Sequence, residues 1–246
     1  MSFDLFGAVT VRMYAILIVI GMVAALVYMS RQEKRLGLPK DTALDMALWA
    51  IPAGVVGARA YYVAFTWDEF AADPVSVFRI WNGGLAIYGG IIGGFLAVLA
   101  LSRRKKLPMG KLADMAAPAV ILAQAIGRWG NFFNGEAYGN PIADPRWQFF
   151  PYGVLVNGQW FQATFFYESV WDAAGFVVLH LMRRKMRADG DLMWLYCVFY
   201  GAGRMLIEGL RSDSLWWGPF RVSQVLSGAL VIVGLAVLTV RERKAR

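Results

Sequence analysis

The strongest constraint on this chain is the alternation of long apolar runs with short basic loops. Seven apolar stretches lie at about 11–30, 45–66, 84–102, 112–130, 165–182, 192–210 and 222–240. Crossing a hydrocarbon core of about 30 Å takes about 20 helical residues, so each stretch is a candidate span. Basic clusters follow the first, third, fifth and seventh: Arg31, Lys34, Arg35 and Lys40; Arg103 to Lys106 with Lys111; Arg183, Arg184, Lys185 and Arg187; Arg241, Arg243, Lys244 and Arg246. The connections 67–83, 131–164 and 211–221 hold few Lys or Arg, and the first is net acidic. Cytoplasmic loops carry the Lys and Arg excess in membrane proteins. The pattern therefore predicts an all-α integral membrane protein, a seven-transmembrane-helix bundle. Its N-terminus lies outside and its C-terminus in the cytoplasm, and residues 1–246 form a single membrane domain.

Composition and charge agree with this. Charged residues make up 17% of the chain and hydrophobic ones 58%, against about 25% charged in a soluble domain. The first run is not read as a cleaved signal peptide. Only Asp4 and Arg12 carry charge before it, and the basic cluster after it resembles a stop-transfer signal. The net charge of +8 sits mostly in the short loops. It therefore orients the chain and attracts anionic lipid headgroups, and no nucleic-acid partner is implied. A single cysteine, Cys197, and a single histidine, His180, exclude an internal disulfide and a histidine cluster. No His, Cys or acidic group has metal-ligand spacing, so neither a metal nor a cofactor is expected.

Two local features add to the frame. Residues 131–164 are too long for a turn and rich in Gly, Pro, Asn and aromatics, which predicts a small extracytoplasmic cap. Its end, "VLVNGQWFQ", places Asn157-Gly158 between strand-forming residues and predicts a β-hairpin. "YGGIIGG" offers Gly89 with Gly93 and Gly90 with Gly94 as a face for close helix packing.

Ionisable groups within a membrane are costly and mark function by default. With this topology Arg59, Arg128, Arg204, Glu208, Glu168 and Asp172 all fall at the depth of the outer leaflet, and Asp114 near the inner side. Tyr200, Arg204 and Glu208 share one helix face, as do Glu168 and Asp172. Two readings fit: the charges pair between helices, or the guanidiniums bind a lipid phosphate with bidentate geometry. "GRWGNFFNGEAYG", residues 127–139, sets Arg128 at a span's rim before a loop punctuated by Gly130, Gly135 and Gly139. Asn131 and Asn134 supply neutral donors and acceptors there. That loop is either an anion-site wall or a helix cap.

That stretch also resembles, at every defining position, the signature of the prolipoprotein diacylglyceryl transferase family, G-R-x-G-N-F-x-N-x-E-x-x-G. "WNGGLAIYGGIIGG" (81–94) resembles the family's Gly-rich third-span motif, and "YGAGRMLIEGLR" (200–211) its Tyr-x-x-x-Arg-x-x-x-Glu sixth-span motif. "VRMYA" near the start and "FYES" at 166–169 fit as well. The resemblance runs from about residue 11 to 240 in order. It implies a bacterial inner-membrane enzyme that moves a diacylglyceryl group from phosphatidylglycerol to the lipobox cysteine of a prolipoprotein. The products would be a thioether and glycerol phosphate. It also implies site roles: Arg128 and Arg204 in catalysis, with Tyr14, Asn131, Glu136, Gly139, Tyr200 and Glu208 contacting substrate. The residue reading adds Arg59 and Asn134 as substrate contacts. Tyr88 stands where many members have His, so it is read as a hydrogen-bonding or proton-relay group. "FQAT" (161–164) departs from the expected His-Pro-Ser/Thr-Gln, and no ligand contact is carried over there. A transporter or channel for an anionic solute or lipid is the alternative. It would require charges through both leaflets or paired broken spans in two related halves.

Overall fold

In an apolar medium a helix satisfies its own backbone hydrogen bonds, and the chain follows that rule. The computed structural model describes residues 2–5, 9–212 and 216–244. Among them are seven long helices: α1 (Met13–Leu36), α2 (Thr42–Phe65), α3 (Ile87–Lys105), α4 (Met109–Asn134), α5 (Thr164–Met182), α6 (Asp191–Glu208) and α7 (Val222–Lys244). They match the seven apolar runs. Three antiparallel ribbons complete the described elements: β1 (Ser2–Leu5) with β2 (Val9–Arg12), β3 (Gly153–Val156) with β4 (Gln159–Gln162), and β5 (Trp216–Trp217) with β6 (Phe220–Arg221). The expected hairpin is the β3–β4 ribbon. Its turn places Asn157 at φ 49° and Gly158 at φ 83°, the paired positive angles for which Asn-Gly is suited.

Five helices, α1 to α4 and α7, are long and apolar enough to cross a membrane. α5 and α6 have the length but not the hydropathy. Glu168 and Asp172 lower it in α5, and Asp191, Arg204 and Glu208 in α6. All four of those carboxylates are buried. Elsewhere the polarity of a soluble fold is reversed: Val19 and Val23 on α1, Leu48 and Val56 on α2, and Ile232 on α7 point their large apolar side chains outward. The protein is thus a multi-pass membrane protein.

The chain divides into two compact units. In the unit formed by residues 30–112, α2 and α3 pack backbone to backbone. A Cβ placed on Gly57 would strike the Gly89 carbonyl, and one on Gly89 the Gly57 carbonyl. A Cβ on Gly93 would strike the carbonyl of Ala53. Gly90 and Gly94 have room, with nearest neighbours at 3.6 Å. Of the two glycine pairs read from "YGGIIGG", Gly89 with Gly93 makes the tight contact. The connection from α2 to α3 is a series of short 3-10 turns, and at the other end of α2 Glu33 accepts the Asp41 and Ala43 amides at 3.1 and 2.7 Å.

In the unit formed by residues 1–29 and 113–246, aromatic and hydroxyl side chains latch the helices together. The Trp129 indole donates to Ser169 Oγ at 3.1 Å, and Ser169 donates on to the Ala125 carbonyl at 2.8 Å, joining α4 to α5. The Trp171 indole donates to the Phe199 carbonyl at 3.0 Å and lies against Gly203, joining α5 to α6. Ile121, Leu179 and Leu192 form a buried apolar cluster nearer the other end of these helices. Asp114 accepts the Gly190 and Met193 amides at 2.7 and 3.1 Å. It caps the start of α6, where the sequence reading placed it at the start of its own span.

Candidate active site

One carboxylate organises the buried charges. Glu168, in the second turn of α5, faces Arg128 of α4 with Oε2 at 2.7 Å from Nη1, and its Oε1 is ion-paired with Arg204 of α6. Arg211, just past α6, stands 3.8 Å from the same oxygen. Arg204 also reaches Glu208 at 2.7 Å, one turn further along its own helix. Asp172, one turn beyond Glu168, has Arg128 Nε at 3.9 Å. Three guanidiniums and three carboxylates thus meet where α4, α5, α6 and the segment just past α6 come together. All three acids are at least 96% buried as side chains. Desolvated charges persist only when paired, so this cluster holds the helix trio together and holds its own geometry.

A small pocket opens among these groups. It is lined by Arg128, Glu168, Trp171, Asp172, Tyr200, Gly203, Arg204 and Ile207. Tyr200 stacks on Tyr196 at 5.6 Å, and the Tyr196 hydroxyl donates to Gln124 at 3.3 Å. The arrangement suits an oxyanion: two guanidiniums on different helices converge on the Glu168 carboxylate and both line the pocket beside it.

The signature loop after α4 is fastened beside this cluster. Gly139 pairs with Arg211 in an isolated β-bridge, and its amide donates to the Gln162 carbonyl at 2.9 Å. A Cβ there would come within 2.9 Å of Gln162, Thr164 and the Leu210 carbonyl, so three segments converge where only glycine fits. Thr164, opening α5, donates to the Ala137 carbonyl at 2.7 Å. Glu136 donates its amide to the Asn131 carbonyl at 3.1 Å, and its carboxylate accepts from Asn134 Nδ2 at 3.2 Å. Tyr14 of α1 lays its ring against Gly130, where a Cβ would come within 2.6 Å. Outside the helices, burial and the nearby Glu136 carboxylate raise the Tyr138 hydroxyl above its ordinary value, keeping it a neutral donor. In the connection between α4 and α5, the Arg146 guanidinium holds Asp144 below the usual carboxylate range.

Arg59 and Tyr88 belong to the other unit. Arg59 is buried, and its guanidinium donates to four backbone carbonyls: Val77 at 2.7 Å, Ser76 and Gly83 at 2.8 Å, and Gly84 at 3.0 Å. Phe70 stacks beneath it at 4.9 Å. Tyr88 is exposed near the start of α3, tilted against Tyr61 with the ring centroids 6.4 Å apart.

The structure brings Arg128, Arg204, Tyr200 and Glu208 together and adds residues the sequence reading had left outside its site. Glu168 and Asp172 were visible as a shared helix face, but their partners lie on two other helices. Arg211 lies within the sixth-span motif, yet it falls beyond the span's end, outside the apolar run that marks depth. Trp171 carried no sequence signal beyond its place two residues after "FYES".

Comparison with known proteins covers nearly the whole chain. Residues 1–240 match the family model for prolipoprotein diacylglyceryl transferase. The chain is 45% identical over 252 residues to the phosphatidylglycerol–prolipoprotein diacylglyceryl transferase of Enterococcus faecalis, covering 98% of this chain and 90% of that protein. It is 40% identical to the enzyme of the same name from Listeria innocua, covering 97% and 88%. The corresponding Streptococcus suis protein is 41% identical, with 97% and 91% covered. By these matches the chain belongs to the prolipoprotein diacylglyceryl transferase family.

Proposed function

We propose that the chain transfers the diacylglyceryl group of phosphatidylglycerol to the lipobox cysteine of prolipoproteins, with Arg128 and Arg204 holding the lipid phosphate. The observation that carries this reading is that the two, from separate helices, converge on the Glu168 carboxylate at the wall of one pocket. The thiol sulfur attacks the glyceryl carbon next to the phosphate oxygen. The S–C bond forms as the C–O bond breaks, and the electron pair stays on the departing glycerol phosphate. Charge grows on that phosphate as the bond breaks, and two fixed guanidiniums in a dry site stabilise it most where it is largest. Glu168 and Glu208 hold the guanidiniums in place, and Tyr200 lines the pocket as a neutral donor.

Residues of the signature loop act beside this centre. Gly139 and the Glu136–Asn134 pair shape the loop that closes over the headgroup, with Asn131 and Tyr14 on its inner wall. Arg59 contributes through the loop it ties down, which leads into Tyr88, a hydrogen-bonding group for the incoming substrate. The N-terminus lies outside, the C-terminus is cytoplasmic, and residues 131–164 form an extracytoplasmic cap over a site in the outer leaflet of a bacterial inner membrane. The basic clusters after α1, α3, α5 and α7 support this orientation.

The test uses purified protein in detergent micelles with phosphatidylglycerol and a lipobox peptide. The peptide is expected to gain one diacylglyceryl mass at its cysteine, with an equal amount of glycerol phosphate released. A transporter needs two compartments and would give neither product in micelles.

A further inference from the structure

A free cysteine thiol has a pKa of about 8.5, so only a few per cent is thiolate at neutral pH. Nearby guanidiniums favour the thiolate once formed, but they cannot accept its proton. Transfer to a thiol therefore requires a further group to activate it. Building on the transferase reading, we propose that Asp172 is the general base that takes the proton from the lipobox cysteine.

The pocket contains two acids on one face of α5, and their surroundings differ. Glu168 has Arg128 on one oxygen and Arg204 on the other, with Arg211 at 3.8 Å. Glu208 has Arg204 at 2.7 Å. Both are committed as counter-ions. Asp172 is 2% exposed and lines the pocket; like Glu168 Oε2 and Glu208 Oε2, its Oδ2 accepts no hydrogen bond, but those two oxygens each have a guanidinium at 2.7 Å. Among the described residues its ion pair is to Arg128 Nε, long at 3.9 Å. A buried carboxylate oxygen with open lone pairs is expensive to maintain, and its position at the wall of a reaction pocket gives it a use. The groups facing it are Arg128 from α4, Arg204, Tyr200 and Tyr196 from α6, and Glu168 on its own helix.

Charge accounting points the same way. A phosphodiester monoanion brings one negative charge to Arg128, Arg204 and Arg211, which already face Glu168 and Glu208. Those three anions balance the three guanidiniums and leave Asp172 as the surplus negative group, the one best placed to be neutralised by a proton. Position agrees as well. Asp172 lies about one helical turn, roughly 5.4 Å, beyond Glu168 and away from the cap end of α5. With the phosphate at the arginine pair, that direction leads from the phosphorus toward the acyl chains. The glyceryl carbon lies on that side, and sulfur must approach it opposite the departing oxygen.

The step balances. The S–H proton moves to an Asp172 oxygen and the S–C bond forms. The C–O bond breaks with its electron pair on the phosphate, and Asp172 passes its proton to the released glycerol phosphate or to water. No electrons are exchanged with any other group.

The test compares the wild type, Asp172→Asn and Arg128→Ala from pH 6.5 to 9, with a cysteine lipobox peptide and with one carrying selenocysteine in its place. General-base loss typically costs at least about 10²-fold. Asp172→Asn is expected to be slowed by about that factor at pH 6.5 with the thiol peptide. The deficit should narrow to a few-fold at pH 9, where the thiol ionises unaided. The selenol, already ionised at neutral pH, should restore Asp172→Asn to within a few-fold of wild type and leave Arg128→Ala slow. Asp172→Glu, which keeps a carboxylate, should stay nearer to wild type than Asp172→Asn at pH 6.5. An Asp172→Asn deficit that is equal at every pH and for both nucleophiles, or no deficit at all, overturns the proposal. Failure of the wild type to form a thioether would instead remove the transferase reading itself.

Discussion

Glu168 and Arg128 stand 40 residues apart in sequence, on α5 and α4, and meet at 2.7 Å between Oε2 and Nη1. The other oxygen of Glu168 is ion-paired with Arg204 on α6, so one carboxylate ties three helices at the pocket wall. Removing one partner of a buried ion pair costs about 3–5 kcal/mol, because it strands the opposite charge. Glu168→Gln, which keeps the shape, should therefore lower the melting temperature in detergent without lipid. Phosphatidylglycerol supplies a replacement anion to the stranded guanidiniums and should raise that melting point more than it raises wild type's. Equal shifts in the two proteins would contradict phosphate binding at this point.

The contact of Gly57 with Gly89 has a different consequence. A methyl group at either position drives into the facing carbonyl, whereas one at Gly90 meets its neighbour at an ordinary 3.6 Å. Gly89→Ala and Gly57→Ala should each destabilise the protein by about 1–3 kcal/mol through overpacking. Gly90→Ala should stay within about 0.5 kcal/mol of wild type. Thermal unfolding of the three variants side by side measures the difference.

Arg59 tests whether a buried guanidinium serves the substrate or the loop. Its four donated bonds end on carbonyls of residues 76–84, and hydrogen bonds from a charged group contribute about 1.5–3 kcal/mol each. Arg59→Lys offers one ammonium in place of the planar fork and should loosen that loop. Amide hydrogen exchange is the measurement, with faster exchange confined to the 76–84 segment and the α2–α3 contact kept.

Orientation can be read by labelling single cysteines in a Cys197→Ser background on whole cells. Substitutions at Glu69 and Phe150, in the connections poor in Lys and Arg, should react with a membrane-impermeant maleimide. Substitutions at Lys34 and Lys185 should react only after the membrane is opened. The reverse pattern would overturn the proposed topology.

Much of this was legible in the sequence because membranes leave few choices. Run length and basic loops define the helices, and the Asn157-Gly158 pair defines the β3–β4 turn. The sequence also marked Arg128 and Arg204. What it could not convey was pairing across helices. Glu168 at i and Asp172 at i+4 look alike on a helical wheel, and only the neighbours supplied by α4 and α6 give one close ion pairs and leave the other a single long one. Arg59 shows a related limit: depth alone groups it with the other guanidiniums, while four of its five N–H donors go to carbonyls of the segment that precedes α3. The β1–β2 and β5–β6 ribbons lacked a turn signal as strong as Asn-Gly.

The central claim is that Arg128 and Arg204 hold the phosphate from which the diacylglyceryl group departs. Its most direct test is the single-turnover rate of transfer to a lipobox peptide for Arg128→Ala and Arg204→Ala, each checked for folding by thermal unfolding. Loss of a donor that stabilises transition-state charge typically costs about 10²–10³-fold, and each variant should lose at least that factor at saturating phosphatidylglycerol. Transfer at the wild-type rate by either folded variant would contradict the account.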